Sequence, residues 1–156
     1  MFRDLLPDAQ RVLGRDHWDT LTIRHFIARY TQETGEAFRL FRELLTDQER
    51  VLGPDHPATL ATRRNVSILT GKMGEVNEAL RLCRELLPIH ERVLGPDHPD
   101  TLAIRGYIAH YTALSGEKRD AQRLFRDLLA DEERILGPGH PDTRDVRDAL
   151  SKLDAQ

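Results

Sequence analysis

The sequence predicts an all-α protein, an α-solenoid of antiparallel helix pairs with about eight helices. The first observation is a segment that occurs four times, as RVLGRDHWDTL, RVLGPDHPATL, RVLGPDHPDTL and RILGPGHPDTR, starting at Arg11, Arg50, Arg92 and Arg134. These starts are 39, 42 and 42 residues apart. The second observation is a block, GEAFRLFRELL in its first copy, that recurs in phase from Gly35, Gly74 and Gly116. Two in-phase blocks of this spacing are typical of stacked helical repeats.

Each repeat carries stop and start signals for two helices. Glycine followed by proline ends the second helix, because glycine adopts the left-handed conformation and proline cannot continue a helix. These glycines are Gly53, Gly95 and Gly137. The next helix begins around Asp-His-Pro, where Asp55 and Asp97 are the predicted N-caps and Pro57 and Pro99 fit the first turn.

In the second repeat, helix A is predicted over 57–72 and helix B over 77–94. The apolar residues of helix B cover more than one side, as expected of a helix between neighbours in a stack. The chain is therefore predicted to be a single domain, 1–156. Its parts are helix B of a preceding unit (2–13), three repeats (16–52, 55–94 and 97–136) and a final helix A (142–153).

The first repeat lacks three residues between Glu36 and Ala37 relative to the other copies. A deletion inside a helix would rotate its apolar stripe, since three residues fall short of one full turn. We therefore expect a tightened turn near Gly35 and a shortened helix B that keeps Leu40, Leu44 and Leu45 in register. A helix B of normal length would contradict this expectation.

The terminal helices of such an array are expected to expose apolar faces. These faces lie around Leu5, Leu6 and Val12 at the start and around Val146 and Leu150 at the end. Because contiguous exposed apolar surface favours association, homo-oligomerisation through these helices is the alternative function: a structural, self-assembling repeat unit.

Composition narrows the classes of function. The formal net charge of −3 and the isoelectric point near 6.2 argue against a nucleic-acid partner, which usually needs a basic face. No apolar stretch is long enough to span a bilayer, and the first ten residues do not resemble a secretory signal, so no membrane association and a cytoplasmic location are expected. The single cysteine, Cys83, excludes an intramolecular disulfide and matches core positions Phe41 and Phe125 of the other repeats.

No enzyme, cofactor or metal site is predicted. The sequence contains no GxSxG, Walker or HExxH motif. Histidines recur at one position of every copy, which makes them metal candidates: His17, His56, His98 and His140. Residues one repeat apart in a solenoid lie on successive layers and cannot converge on one ion, so a structural role at the start of helix A is favoured.

An arginine also recurs in phase, at Arg24, Arg63, Arg105 and Arg147. It forms either a basic ladder for an acidic ligand or a structural ladder bonded to loop carbonyls or to carboxylates such as Glu49, Glu91 and Glu133. The structural ladder is favoured, because features common to all repeats usually build the stack.

The LGPDHPxTL segment, followed by Gly-Glu and then by LFRELL, resembles the tetratricopeptide (TPR) repeat in its 42-residue form, as in kinesin light chain and in actinobacterial signalling proteins. The resemblance covers nearly the whole chain. It implies a right-handed superhelix in which helices A line a concave groove that binds a peptide or a partner's surface. The paired asparagines usual in helix A are replaced here, and only Asn65 remains.

Carrying the family's groove positions over to this chain gives eight candidate ligand-binding residues: His25, Phe26, Arg29, Arg64, Asn65, Lys72, Tyr107 and His110. They are either ligand contacts or ordinary solvated residues. If they bind, the aromatic rings would supply contact area and the arginines would pair with carboxylates. The expected function is that of a protein–protein interaction module, a scaffold, adaptor or sensor part of a signalling protein, with an acidic and hydrophobic partner segment.

Overall fold

A computed structural model describes residues 2–155, and these residues form eight α-helices and no strand. The helices are α1 (Phe2–Leu13), α2 (Trp18–Arg29), α3 (Thr34–Val51), α4 (Pro57–Lys72), α5 (Val76–Val93), α6 (Pro99–Leu114), α7 (Lys118–Ile135) and α8 (Pro141–Asp154). The prediction of an all-α chain of eight helices is confirmed. None of these helices combines the length and the apolar character that crossing a bilayer would require.

The chain divides into two compact units, Met1–Gly74 and Glu75–Gln156. In the N-terminal unit, α1 packs on α2, α2 on α3 and α3 on α4. The C-terminal unit repeats this order with α5 to α8. The cores correspond as well: Leu21, Phe41 and Leu44 are buried together in the first, and Leu102, Phe125 and Leu128 in the second.

The turn that follows each helix B has the same conformation in every copy. Gly53, Gly95 and Gly137 have φ angles of 90°, 98° and 91°, which places them in the left-handed region as the sequence predicted. The histidine N–H three residues later donates back to the glycine carbonyl, for example from His98 to Gly95 over 3.3 Å. The chain therefore reverses direction within a few residues.

The N-cap of each helix A is the recurrent histidine, so the prediction of Asp55 and Asp97 as N-caps is wrong. The Nδ1 atom of His98 accepts a hydrogen bond of 3.1 Å from the N–H of Asp100, and His17, His56 and His140 make the equivalent bond. Asp97 instead forms an ion pair with Arg134 in the last turn of α7, at 3.1 Å. Asp16 pairs with Arg50 of α3 in the same way, at 2.6 Å.

The missing residues of the first repeat were assigned to the wrong helix. Helix α3 has 18 residues, as many as α5 and α7, whereas α2 has 12 residues and α4 and α6 have 16. Gly35 lies inside α3, where the Glu33 carboxylate caps the helix by accepting from the N–H groups of Gly35 and Glu36. Shortening α2 leaves the buried stripe of helix B at full length.

The burial of the apolar residues tests two further predictions. Cys83 of α5 is fully buried, which confirms the core position expected from Phe41 and Phe125. Val146 is only 9% exposed and packs in the core of the C-terminal unit, so the expectation that it would be exposed is wrong. On α1, by contrast, Leu5 is 50% and Val12 is 67% exposed.

Replacing a capping histidine tests the corrected N-cap. We expect His98→Ala to lower the free energy of unfolding by about 1 kcal/mol, the usual cost of losing an N-cap bond. His98→Asn should restore most of the loss, because an asparagine side chain accepts the same bond. Urea denaturation measures both changes. Equal losses in both variants would instead assign the effect to packing of the imidazole ring.

Candidate functional site

The recurrent arginines are bonded within the repeat framework. Arg24 lies 2.6 Å from Asp47 and Arg105 lies 2.8 Å from Asp131, each pairing helix A with the following helix B. In the second repeat, the helix B position of Asp47 and Asp131 is occupied by Ile89, which cannot form an ion pair. Arg63 pairs instead with Glu49 of the preceding helix, α3, at 2.6 Å. Such contacts are those of the structural ladder that the sequence favoured.

The last arginine of this set, Arg147 of α8, pairs backward along the chain with α7. It lies 2.7 Å from the Glu133 carboxylate and donates to the carbonyl of Pro138. Each of the four arginines thus forms an ion pair with a carboxylate of either the following or the preceding helix B. Their charges are largely neutralised by these partners.

Three candidate groove residues form a basic cluster in the N-terminal unit: His25 and Arg29 of α2, and Arg64 of α4. Burial lowers the pKa of His25, and the charges of Arg29 and Arg64 lower it further. The imidazole therefore stays neutral at pH 7, while the guanidinium groups carry positive charge. Arg29 is exposed and makes no ion pair with any residue of the described part of the chain.

The other candidates of the N-terminal unit are less accessible or lie apart. The Phe26 ring stacks on Phe2 of α1, with a centroid distance of 5.1 Å, so one of its faces is already covered. The Nδ2 of Asn65 is buried and donates no hydrogen bond within residues 2–155. Lys72 is exposed at the last position of α4. Trp18, which replaces the usual proline, packs edge-on against the capping His56, at 5.7 Å.

The remaining two candidates, Tyr107 and His110, lie on α6 in the C-terminal unit. The Tyr107 ring stacks on Tyr111 at 6.1 Å, and the His110 ring lies 5.4 Å from Tyr111. Burial raises the pKa of Tyr111 to about 12, with smaller contributions from Cys83 and Tyr107. Tyr107 and His110 both line a cavity of about 430 Å³ between α6, α7 and α8.

This cavity, which we term the acidic cavity, has an apolar base and carboxylates on its wall. Leu102, Phe125 and Leu128 supply buried apolar surface. Its acids are Glu132 of α7 and Asp142 and Asp145 of α8. Glu132 is 4% exposed, and its Oε2 accepts no hydrogen bond from any described residue.

Electrostatics at Glu132 are unfavourable to a negative charge. Burial raises its pKa above the ordinary value, and Asp142 and Asp145 raise it further, while His140 and Arg105 act in the opposite sense. Arg105 is already paired with Asp131. A buried carboxylate without a bonded cation costs stability.

None of these acids was among the predicted site residues, although the repeats contain a signal for them. Glu132 occupies the position of Gln48 and His90, both buried, in the earlier helices B. Asp145 occupies a position held by Thr22, Ala61 and Ala103. A position-by-position comparison of the copies would have shown an acid on an inward face. Across residues 2–155, no group of three or more His, Cys, Asp or Glu side chains is placed to hold a metal ion.

Antiparallel helix pairs that recur in register define the class of α-helical repeat proteins. Within that class, the profile of the tetratricopeptide repeat matches residues 20–58, 59–100 and 101–142. The matches cover well over half of the sequence, and the chain belongs to the tetratricopeptide repeat family. Repeats of this family generally serve as scaffolds for protein–protein interaction. The sequence has no match among curated proteins.

Solved structures show the same fold. Two crystal structures of nearly identical TPR-like repeats from a kinesin light chain-like protein of Podosopora anserina superpose with TM-scores of 0.77 and 0.76, at 22% and 23% identity. They cover 97% of this chain, which spans 73% and 74% of theirs. The structure of BtubC (BKLC) from P. vanneervenii gives a TM-score of 0.83 at 15% identity, over 97% of this chain and 62% of that protein.

Removing the charge of Glu132 should stabilise the protein at neutral pH. We expect Glu132→Gln to raise the free energy of unfolding by on the order of 1 kcal/mol, because an unpaired buried charge is replaced by the amide that Gln48 places at the same position. Urea denaturation at about pH 7 measures the change. A less stable variant would show that the carboxylate has a stabilising partner.

The pH dependence provides a second check. A raised pKa means that the folded protein binds more protons at Glu132 than the unfolded chain does, between the ordinary value of 4.5 and the raised value. In that window the wild-type protein gains stability as the pH falls and loses it as the pH rises, relative to Glu132→Gln. The difference between the two proteins should therefore narrow from about pH 7 to about pH 5.

Proposed function

We propose that this chain is a protein–protein interaction module that binds an acidic, hydrophobic segment of a partner protein at the basic cluster of its N-terminal unit. The observation that carries the proposal is the juxtaposition of His25, Arg29 and Arg64 on two helices A. The resemblance to TPR repeats implies that helices A line the ligand groove. Family membership supports the general role of an interaction scaffold.

The chemistry of the cluster favours a carboxylate ligand. A guanidinium group can hold a carboxylate through two parallel hydrogen bonds, and such charged bonds are stronger than neutral ones. A neutral His25 adds a polar group without adding to the repulsion between the arginines. The Tyr30 side chain, which is 62% exposed, offers apolar surface at the end of the same helix for a hydrophobic residue of the partner.

The same family membership supports a scaffold rather than an enzyme. We also propose that residues 1–156 belong to one TPR array that acts as the sensor or recruiting part of a signalling protein. Continuity of the repeats supports a single array, because the family match over 59–100 runs through the boundary at Gly74 without a break.

Self-assembly is the second candidate function, and one observation favours it. Leu5, Val12 and Leu13 are exposed on α1, where they present apolar surface to solvent. A second copy of the chain would cover this face. The solution mass of the wild-type protein and of Val12→Ser, measured by light scattering over a range of concentrations, tests it. A wild-type mass that stays that of a monomer at every concentration, and that equals the mass of the variant, would exclude this function.

The groove proposal is tested by affinity capture from the source cell's lysate with mass spectrometry, followed by affinity measurement with the purified partner. The test variant combines Arg29→Ala and Arg64→Ala. We expect it to bind at least about 10-fold more weakly, because each lost charged hydrogen bond contributes about 1.5–3 kcal/mol. Wild-type binding should also weaken as salt is added.

The matched control combines Arg39→Ala and Arg42→Ala, which removes the same charge from the exposed side of α3. It should bind like wild type, and all three proteins must show equal helicity and melting. Equal weakening in both double variants would indicate a nonspecific charge effect. Full retention of the partner by the Arg29 and Arg64 variant would overturn the proposal.

A further inference from the structure

We propose that the acidic cavity of the C-terminal unit binds the side chain of an arginine or lysine from a partner segment. The argument starts from Glu132, a carboxyl group on α7 that is nine-tenths buried, lines an open cavity and accepts no hydrogen bond at Oε2 from any described residue. A buried carboxylate oxygen without a hydrogen bond is available to a ligand, because a hydrogen bond from that ligand would offset its desolvation cost.

The surrounding charges define the ligand as a cation. Asp142 and Asp145 line the same cavity as Glu132, so all three acidic residues of its lining come from α7 and α8. The side chains that could neutralise these acids are engaged elsewhere. Arg105 pairs with Asp131, at 2.8 Å, and His140 is the N-cap of α8. The His140 Nδ1 lies 3.7 Å from an Asp142 oxygen but accepts the N–H of that residue. An external cation is therefore the complementary partner.

The apolar base defines the shape of the cation. A compact metal ion is disfavoured, since no group of acids within residues 2–155 has the placement to ligate one. A long aliphatic stem with a charged end fits better, because arginine and lysine bury their methylene groups along apolar surface. Leu102, Phe125 and the Tyr107 ring offer that surface.

Departures from the repeat signature converge on this cavity. Gly106 stands where α2 has His25 and α4 has Arg64, and it leaves open the space that those side chains would fill. A methyl group at Gly106 would already lie 3.5 Å from Leu128. Glu132 and Asp145 are acidic only in this part of the repeat array. Local departures from an otherwise consistent pattern are expected at functional sites.

The inference rests on the proposed function in one respect, since the cation is taken to belong to a bound partner. The first experiment does not depend on that point. Hexylguanidinium and its neutral analogue hexylurea are titrated into the ¹⁵N-labelled full chain, and amide shifts are followed by NMR. We expect shifts centred on Gly106 and Ala149, and at least about 10-fold tighter binding of hexylguanidinium.

Two variants make the assignment specific. Glu132→Gln should bring the two affinities close together, and it is expected to fold because Gln48 occupies the same position. Asp148→Asn removes one charge from the exposed side of α8 and should leave the preference unchanged. Equal binding of the two probes to the wild-type chain, or a preference that survives Glu132→Gln, would overturn the inference while leaving the basic cluster untouched.

A peptide pair tests the partner segment itself. The blocked pentapeptide Ala-Leu-Arg-Leu-Ala is compared with the same peptide carrying citrulline, the neutral isostere of arginine. We expect the arginine peptide to bind more tightly and to displace hexylguanidinium. If hexylguanidinium binds but the arginine peptide does not compete, the cavity takes only free small cations and the partner assignment is wrong.

Discussion

The turn from each helix B to the next helix A is the constraint on which the rest of the structure depends. It combines a left-handed glycine with a histidine whose backbone N–H returns to that glycine and whose ring caps the next helix. Because the turn has one geometry, each helix A starts four residues after that glycine. Leu21 and Leu102 consequently reach the core at equivalent positions of the two units.

A fixed backbone leaves function to the side chains that differ between copies. One helix A position is always arginine, as Arg24, Arg63 and Arg105, and these side chains form ion pairs that hold neighbouring helices together. The position after it varies from His25 through Arg64 to Gly106. That variation changes local charge and space without disturbing the core. Both candidate sites contain this position.

The sequence was sufficient to predict the helices and the left-handed glycine of the turn, but not the residue that caps the next helix. Periodicity and glycine–proline pairs located the helices because these signals are local. The capping residue was assigned to Asp97 on general preference, but ion pairing with Arg134, which is distant in sequence, leaves His98 as the cap. The shortened helix was misassigned because Gly35 was aligned with Gly74 by identity, whereas Glu33 caps a full-length α3. Tertiary contacts decided both cases.

The candidate sites were harder to predict, because family positions identify a face but not its electrostatics. Tyr107 and His110 were named as groove residues, yet the acids beside them come from α7 and α8, where the family pattern predicts only packing. Glu132 is the informative case. Selection for stability alone would favour a neutral side chain at this position, as in Gln48, since a buried unpaired carboxylate is costly. The acid nevertheless lies in a cavity that Gly106 keeps open, and a bound cation would offset that cost.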